Sequence, residues 1–138
     1  MGTILLLLQF IAPPTVHKTT GYTHAVKISG CQLVYVSGQV AQDVQGNLVG
    51  KDDFKAQAEQ VFRNLSEVLK ASGGSFKDVV KLNYYVVGLT TERLAEVRNA
   101  RSLYLTQPDP PASTLIGVMA LARPEFLLEV EAVACVKP

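Results

Sequence analysis

One apolar stripe, between Phe54 and Leu69, constrains the fold of this chain more than any other feature. Asp52 or Asp53 can cap the first turn of a helix there, and the Gly73–Gly74 pair ends it. Its apolar residues recur at spacings of three and four, which places them on one helix face: Phe54, Ala58, Val61, Phe62, Leu65, Val68 and Leu69. Such a face must be buried, so the rest of the chain has to supply a surface to cover it.

Short runs rich in β-forming residues occupy most of the remaining chain. Turn residues and a stiff loop containing three prolines separate these runs. We predict strands over Ile4–Ile11, Ala25–Ile28, Leu33–Val36, Val79–Val87, Ser113–Met119 and Leu127–Val136. Because Ser29-Gly30 is a turn signal, the second and third of these strands are predicted to form a hairpin.

A second, shorter helix is predicted between the fourth and fifth strands. Thr90 or Thr91 can cap it, and it runs to about Leu105. A helical wheel groups four of its apolar residues on one arc: Leu94, Val97, Ala100 and Tyr104. Arg101 lies inside that arc and Arg98 lies at its edge. These two arginines either extend past the core to water or line a pocket, and the pattern leaves both options open.

The element order β-β-β-α-β-α-β-β predicts an α+β fold with one domain over residues 1–138. A chain of 138 residues buries enough surface for a core without disulfide, metal or cofactor. Both helices are expected on one face of a single mixed sheet. Strand side chains such as Tyr35, Tyr85, Val87, Val118 and Val133 must project to one face of the sheet or the other, and the helices cover only one face. A closed homo-oligomer is therefore expected to cover the remaining face.

Charge and cysteine content argue against several classes of function. The net charge is +1 and the basic residues form no stripe, so binding of nucleic acid is not predicted. Cys31, Cys135, His17 and His24 match no recognised metal or redox spacing, so we expect reduced thiols and no metal site.

The apolar run at Ile4–Leu8 is too short to span a membrane, which takes about 20 apolar residues. No Lys or Arg precedes it and no cleavage site of the signal-peptide type follows. We therefore interpret it as a strand, and we predict a cytoplasmic protein that does not bind membranes.

Five short motifs in collinear order resemble those of the RidA/YjgF superfamily: Gly21–Ala25 (GYTHA), Val36–Val40 (VSGQV), Asn64-Leu65, Val79–Lys81 (VVK) and Glu129–Ala132 (EVEA). The resemblance runs from about Pro14 to Val136. It implies a chorismate-mutase-like fold, a barrel-like homotrimer and three clefts between subunits that hold small ligands. It also implies hydrolysis of reactive imines and enamines to a carbonyl product and ammonia, without metal or cofactor.

The resemblance also implies roles for individual residues. Glu129 matches the glutamate that positions the attacking water in this family. Glu131 lies two residues further on the last strand, about 7 Å away on the same face, and is the alternative. Tyr22 and Ser37 match a tyrosine and a serine of the ligand cleft, where their hydroxyls can bind ligand.

The chain departs from the family pattern in the segment that begins at Ser113. Deaminating members carry an arginine there, which binds the substrate carboxylate, and often a cysteine at Leu115. Ser113, Thr114 and Leu115 are still predicted to contact substrate. The usual pocket asparagine aligns with Arg98, which can bind an anion from another wall of the cleft. We therefore expect altered substrate specificity, with weaker binding of imines that carry a carboxylate.

Three functions stay open, and whether the chain is an enzyme is left open with them. The first is an imine or enamine deaminase of altered specificity. The second is a non-catalytic trimer that binds a small molecule or regulates a partner, which the arginine missing at Ser113 favours. The third is the ribonuclease or translation-inhibitor activity of some relatives, which the lack of a basic stripe disfavours.

Overall fold

The computed structural model describes residues 5–138. The strands are β1 (Leu7–Ile11), β2 (Ala25–Ser29), β3 (Gln32–Gln39), β4 (Val79–Val87), β5 (Ala112–Val118) and β6 (Leu128–Val136). The helices are α1 (Phe54–Ala71) and α2 (Thr91–Ser102), and a 3-10 helix, Phe76–Asp78, precedes β4. The predicted order of elements is confirmed, with ends that agree within a few residues. Ile4, predicted to begin the first strand, lies outside the described residues.

Four strands form a mixed sheet in the order β3-β6-β4-β5. Strand β6 pairs antiparallel with both β3 and β4, and β4 pairs parallel with β5. Buried and half-buried residues alternate along most of β4 and β6. The sheet therefore has one packed face and one face that is partly open to solvent.

Both helices pack on one face of the mixed sheet, as predicted. Asp53 caps α1 by accepting a hydrogen bond of 3.0 Å from the amide of Ala56. The predicted stripe is buried at every position except the half-buried Val68. Helix α2 adds Val97 and Ala100 to the core. No helix within residues 5–138 combines the length and the apolar character that crossing a membrane requires.

A buried amide joins α1 to the loop before β6. Gln57 is fully buried, and its Nε2 donates to the carbonyls of Gly50 at 3.1 Å and Glu125 at 2.9 Å. Its Oε1 accepts from the amide of Leu127 at 2.9 Å. An unpaired buried amide group would be costly, so the bonds to Glu125 and Leu127 fix the start of β6 against α1, and the bond to Gly50 holds the segment before α1.

The open face of the sheet is more polar than expected. Lys81, Asn83 and Tyr85 of β4 and Glu129 and Glu131 of β6 occupy its centre, all of them half-buried. Large apolar side chains lie nearer its edges and are well exposed: Leu33, Tyr35 and Ile116. A second copy covering this face stays a prediction.

The N-terminal strands do not join the mixed sheet, so the prediction of a single sheet is wrong. Strands β1 and β2 form a separate antiparallel pair. The predicted hairpin between β2 and β3 is also wrong. The chain turns at Gly30, where φ is 71°, but β2 pairs with β1 and β3 pairs with β6. The loop between β1 and β2 reaches the β5 edge of the mixed sheet, where Thr23 forms a parallel bridge with Ala112. The Thr23 amide donates to the Pro111 carbonyl at 3.2 Å.

Cys31 and Cys135 form a disulfide bond, so the expectation of two reduced thiols is wrong. The β3–β6 register places Leu33 opposite Cys135, which brings Cys31 of the preceding turn to a Cα–Cα distance of 5.4 Å. The two cysteines are 104 residues apart in sequence, so no local spacing indicates the pair. Disulfides persist mainly in oxidising compartments. The bond does not favour a cytoplasmic location, which stays a prediction.

We expect the disulfide to contribute strongly to stability, because a crosslink over about 100 residues restricts the unfolded chain by about 4 kcal/mol. The Cys31→Ser variant should lose about that much free energy of unfolding, measured by urea denaturation without reductant. Wild-type protein treated with dithiothreitol is the matched control and should unfold at the same urea concentration as the variant. Equal stability of oxidised and reduced wild-type protein would contradict this prediction.

Candidate functional site

Five of the predicted site residues line one cavity of about 320 Å³: Tyr22, Arg98, Ser113, Thr114 and Leu115. The cavity lies between α2, the edge strand β5 and the loop that precedes β2. Its volume falls in the range of small-molecule sites. The structure thus brings together residues that are more than 90 positions apart in sequence.

Arg101, for which the sequence left open a role in a pocket or an extension to water, is a second arginine of this cavity. Helix α2 carries it one turn beyond Arg98, on the same side of the helix. Its guanidinium lies directly over Gly21, where an added Cβ would be 2.7 Å from Nη2. Gly21 also has φ of 77°, so a side chain there is disfavoured twice. The wheel position of Arg101, inside an apolar arc, was the only signal for this placement.

Tyr84 also lines the cavity, a role that sequence reasoning missed. It is 1% exposed, and its hydroxyl has no hydrogen-bond partner within the described residues. Burial raises the pKa of Tyr84, and the neighbouring Arg101 acts in the opposite direction more weakly. The hydroxyl therefore stays protonated at neutral pH and can donate a hydrogen bond.

Two histidines hold Tyr22. The Nε2 atom of His17 lies 2.8 Å from the Tyr22 hydroxyl, and Nε2 of His24 lies 2.8 Å from the carbonyl oxygen of His17. The rings of His17 and His24 meet edge to face, with centroids 4.9 Å apart. These contacts fix the position of the Tyr22 hydroxyl beside the cavity. The sequence placed both histidines near Tyr22 but did not indicate their contact.

Ser37 and Glu129 lie apart from this cavity. Both belong to the open face of the sheet, where Ser37 lines a separate cavity of about 290 Å³ together with Asn83 and Glu131. Strand β4 separates the strand of Glu129 from β5. Ser113 lies opposite Leu82, a buried residue on the helix side of the sheet. Within one chain, the predicted site residues therefore lie in two separate places.

The two glutamates of β6 have different surroundings. Glu131 Oε1 accepts from the Tyr85 hydroxyl at 2.6 Å and from Asn83 Nδ2 at 3.0 Å, and these bonds lower the pKa of Glu131. No hydrogen bond to the Glu129 carboxylate is found within residues 5–138. Burial, together with the charge of Glu131, raises the pKa of Glu129. Glu131 is therefore a fixed anion, whereas Glu129 is suited to accept and release a proton.

Gly38 determines where the Glu129 carboxylate lies. A Cβ at this position would be 1.9 Å from Glu129 Oε1, so only glycine leaves room for the side chain as placed. The nearby atoms belong to a flexible side chain, so a larger residue would displace the carboxylate without blocking the backbone. Within residues 5–138 no group of three or more His, Cys, Asp or Glu side chains is placed to bind a metal ion.

Solved structures share this architecture. A Rid-family protein of unknown function, YyfB from Yersinia pestis, has 40% sequence identity and a TM-score of 0.86, covering 94% of this chain and 98% of that chain. RidA from an Antarctic Psychrobacter is 33% identical with a TM-score of 0.67, covering 93% of this chain and 99% of that one.

Characterised sequences and a family model agree with these structures. The 2-iminobutanoate/2-iminopropanoate deaminase of Mus musculus is 33% identical over 122 residues, covering 85% of this chain and 82% of the relative. Protein DfrA of Myxococcus xanthus is 34% identical over 113 residues, covering 82% and 83%. The model of the family described as endoribonuclease L-PSP matches residues 14–136. The chain therefore belongs to this family, the RidA/YjgF superfamily.

Proposed function

We propose that the protein hydrolyses small reactive imines or enamines to a carbonyl compound and ammonia. The observation that carries this proposal is the contrast between a hydrogen-bonded Glu131 and a Glu129 whose carboxylate is free and whose pKa is raised. Two carboxyl groups with pKa values moved in opposite directions are typical of acid–base sites. The mouse relative, named as a 2-imino acid deaminase, supports the class of reaction.

The reaction needs one group that both takes and returns a proton. Water adds to the iminium carbon while Glu129 accepts a proton from it, which forms a C–O bond and a carbinolamine. The carboxyl group of Glu129 then protonates the nitrogen and the C–N bond breaks. Ammonia leaves as the hydroxyl gives its proton to the Glu129 carboxylate and becomes the carbonyl, and Glu129 passes this proton to the ammonia, which is released as ammonium. An enamine first takes a proton from the solvent at its β carbon, which gives the iminium ion. A raised pKa suits Glu129 to both transfers.

A second copy of the chain would complete the site. The open face of one subunit carries Glu129 and Ser37, and the β5 edge carries Tyr22 and Arg98. We propose a homotrimer in which the open face of each subunit packs against the β5 edge of the next, so that every cleft joins both sets of residues. Cyclic symmetry uses both surfaces of every subunit.

Arg98 supplies the positive charge that Ser113 lacks. Both residues line the same cavity, and Arg101 lies beside them, so an anion there meets two guanidinium groups. These groups approach from α2, whereas the arginine of other family members would project from β5. A carboxylate is therefore bound in a different orientation, which supports a changed substrate preference.

We expect Glu129→Gln to lower ammonia release from imines generated by an amino-acid oxidase at least about a hundredfold, because the amide cannot act as a base. Glu131→Gln is the matched control and should lose far less activity. Gly38→Ala should also lower activity, since it displaces the Glu129 carboxylate. Equal losses from Glu129→Gln and Glu131→Gln would contradict the assignment, and a wild-type protein that binds ligand without releasing ammonia would favour the non-catalytic alternative.

The same two variants should differ in stability. A raised pKa means that Glu129 costs stability as the pH rises through its folded-state pKa, so Glu129→Gln should be at least as stable as wild type at pH 7. A lowered pKa means that Glu131 contributes stability above its unfolded-state pKa, and this is lost as the pH falls through the folded-state value. Glu131→Gln should therefore be less stable than wild type at pH 7 and not in strong acid, as measured by urea denaturation.

We expect three chain masses by light scattering at micromolar concentration, because the two halves of the site lie on different surfaces of one chain. Tyr35 is 76% exposed on the open face and should become protected in the assembly. Tyr35→Glu should therefore shift the mass towards that of one chain and abolish activity together with it. A wild-type monomer that still releases ammonia would contradict the shared cleft.

We expect Arg98→Gln to reduce kcat/KM about tenfold for an imine that carries a carboxylate, and much less for an otherwise identical neutral imine. Arg63→Gln removes the same charge from an exposed position of α1 and is the matched control. Competition kinetics with the paired imines gives both ratios at once. Equal losses for both imines would mean that Arg98 does not bind the carboxylate.

A further inference from the structure

A larger cavity, of about 510 Å³, adjoins the 320 Å³ cavity. The two share Tyr22, Arg98 and Arg101, but the larger one extends between the β1–β2 hairpin and the proline-rich loop before β5. No step of the proposed reaction uses the groups that line this extension. They nevertheless include positive and negative charges as well as hydrogen-bond donors and acceptors.

Two guanidinium groups form the positive part of the larger cavity. No salt bridge to Arg98 or Arg101 is found within residues 5–138; the ion pair found there joins Arg123 and Glu125. The two arginines are one helical turn apart and can bind the two oxygens of one carboxylate. The cavity therefore offers a site for an anion.

One carboxylate forms the negative part of the larger cavity. Asp109 lines its wall and is exposed. No salt bridge to Asp109 is found within residues 5–138. The cavity therefore also offers a partner for a positively charged group of a ligand.

The rest of the wall is apolar, from Phe10, Leu105 and Pro108. A ligand that matches the whole cavity has a carboxylate for the arginines, a positively charged N–H donor for Asp109, and an apolar side chain. A simple carboxylate leaves the Asp109 charge unpaired. A simple amine leaves both arginines unpaired. A zwitterionic α-amino acid satisfies both sets of groups.

We propose that the larger cavity is a second ligand site, which binds an apolar α-amino acid in its zwitterionic form. Arg98 and Arg101 bind the carboxylate, and Asp109 binds the ammonium group. The two arginines also line the smaller cavity, so an amino acid bound here competes for them. Binding of an amino acid here does not depend on the proposed function. Its consequence, inhibition of imine hydrolysis, rests on the proposed function.

Isothermal titration calorimetry of the full-length protein tests the site with three matched probes. L-phenylalanine carries both charged groups, 3-phenylpropanoate lacks the ammonium group, and 2-phenylethylamine lacks the carboxylate. L-phenylalanine should bind at least about tenfold more tightly than either analogue, since each charge-assisted hydrogen bond lost corresponds to about that factor. Equal affinity for L-phenylalanine and 3-phenylpropanoate would overturn the proposal, and so would no heat with L-phenylalanine at millimolar concentration.

Asp109→Asn is the decisive variant, because Asp109 is exposed and has no role in the proposed reaction. It should weaken L-phenylalanine binding about tenfold and leave 3-phenylpropanoate binding unchanged. Glu59→Gln, which removes the same charge from an exposed position of α1, should change neither. Unchanged L-phenylalanine binding in Asp109→Asn would overturn the site.

Kinetics separate this site from the proposed function. L-phenylalanine should inhibit imine hydrolysis by the wild type, and Asp109→Asn should keep its basal activity and lose most of the inhibition. A protein that binds L-phenylalanine through Asp109 but releases no ammonia from any imine would support the site and contradict the proposed function. A wild-type protein that hydrolyses imines but binds no amino acid would support the proposed function and contradict the site.

Discussion

The position of strand β6 depends on one buried amide. Gln57 is the only glutamine among the buried polar residues of the described chain, and two of its three hydrogen bonds join α1 to the segment that leads into β6. The third, to the carbonyl of Gly50, holds the segment before α1. Strand β6 carries both glutamates and is paired on both sides. A shift of one residue at its start would turn Glu129 and Glu131 into the core and bring Leu128 and Val130 out of it. The amide therefore helps to select the register that places Glu129 and Glu131 on the open face.

Within one subunit, the sheet separates a negatively charged region from a positively charged one. On its open face a network of Tyr85, Asn83 and Glu131 holds a negative charge in place beside Glu129. At its β5 edge, under α2, Arg98 and Arg101 provide positive charge. Lys81, also on the open face, donates to Thr114 Oγ1 at 2.9 Å, and no salt bridge between it and either glutamate is found within the described residues. Within one subunit the two glutamates and the two arginines are therefore not paired with each other.

The sequence was sufficient for the parts of the fold that local pattern controls. The α1 stripe with its Asp53 cap, the strand over Val79–Val87 and the buried Val97 and Ala100 of α2 all follow from spacing, and the structure has them at those positions. Helix α2 ends at Ser102, so Tyr104 of the predicted arc lies beyond it. The sequence did not predict which distant segments pair with each other. The choice of β1 over β3 as the partner of β2 and the Cys31–Cys135 bond depend on how distant segments meet.

The candidate site shows the same limit. The resemblance to a family selected Tyr22, Arg98, Ser113, Thr114 and Leu115, and the structure places them around one cavity. Spacing could not show that Ser37 and Glu129 lie elsewhere, because that depends on strand order. Nor could it find groups without a motif, such as the buried hydroxyl of Tyr84, which is recognised only by its missing partner.

The strand order has a consequence for how this chain reaches its native state. Strand β6 lies between β3 and β4, yet it is the last element in the sequence. During synthesis β3 and β4 therefore emerge without the neighbour that both need, and the sheet cannot assemble progressively from the N-terminus. Most of its pairing is non-local, which is typical of slow folding. Until residues 128–136 leave the ribosome, two unpaired strand edges are exposed, and this is the stage at which chaperones would be most needed.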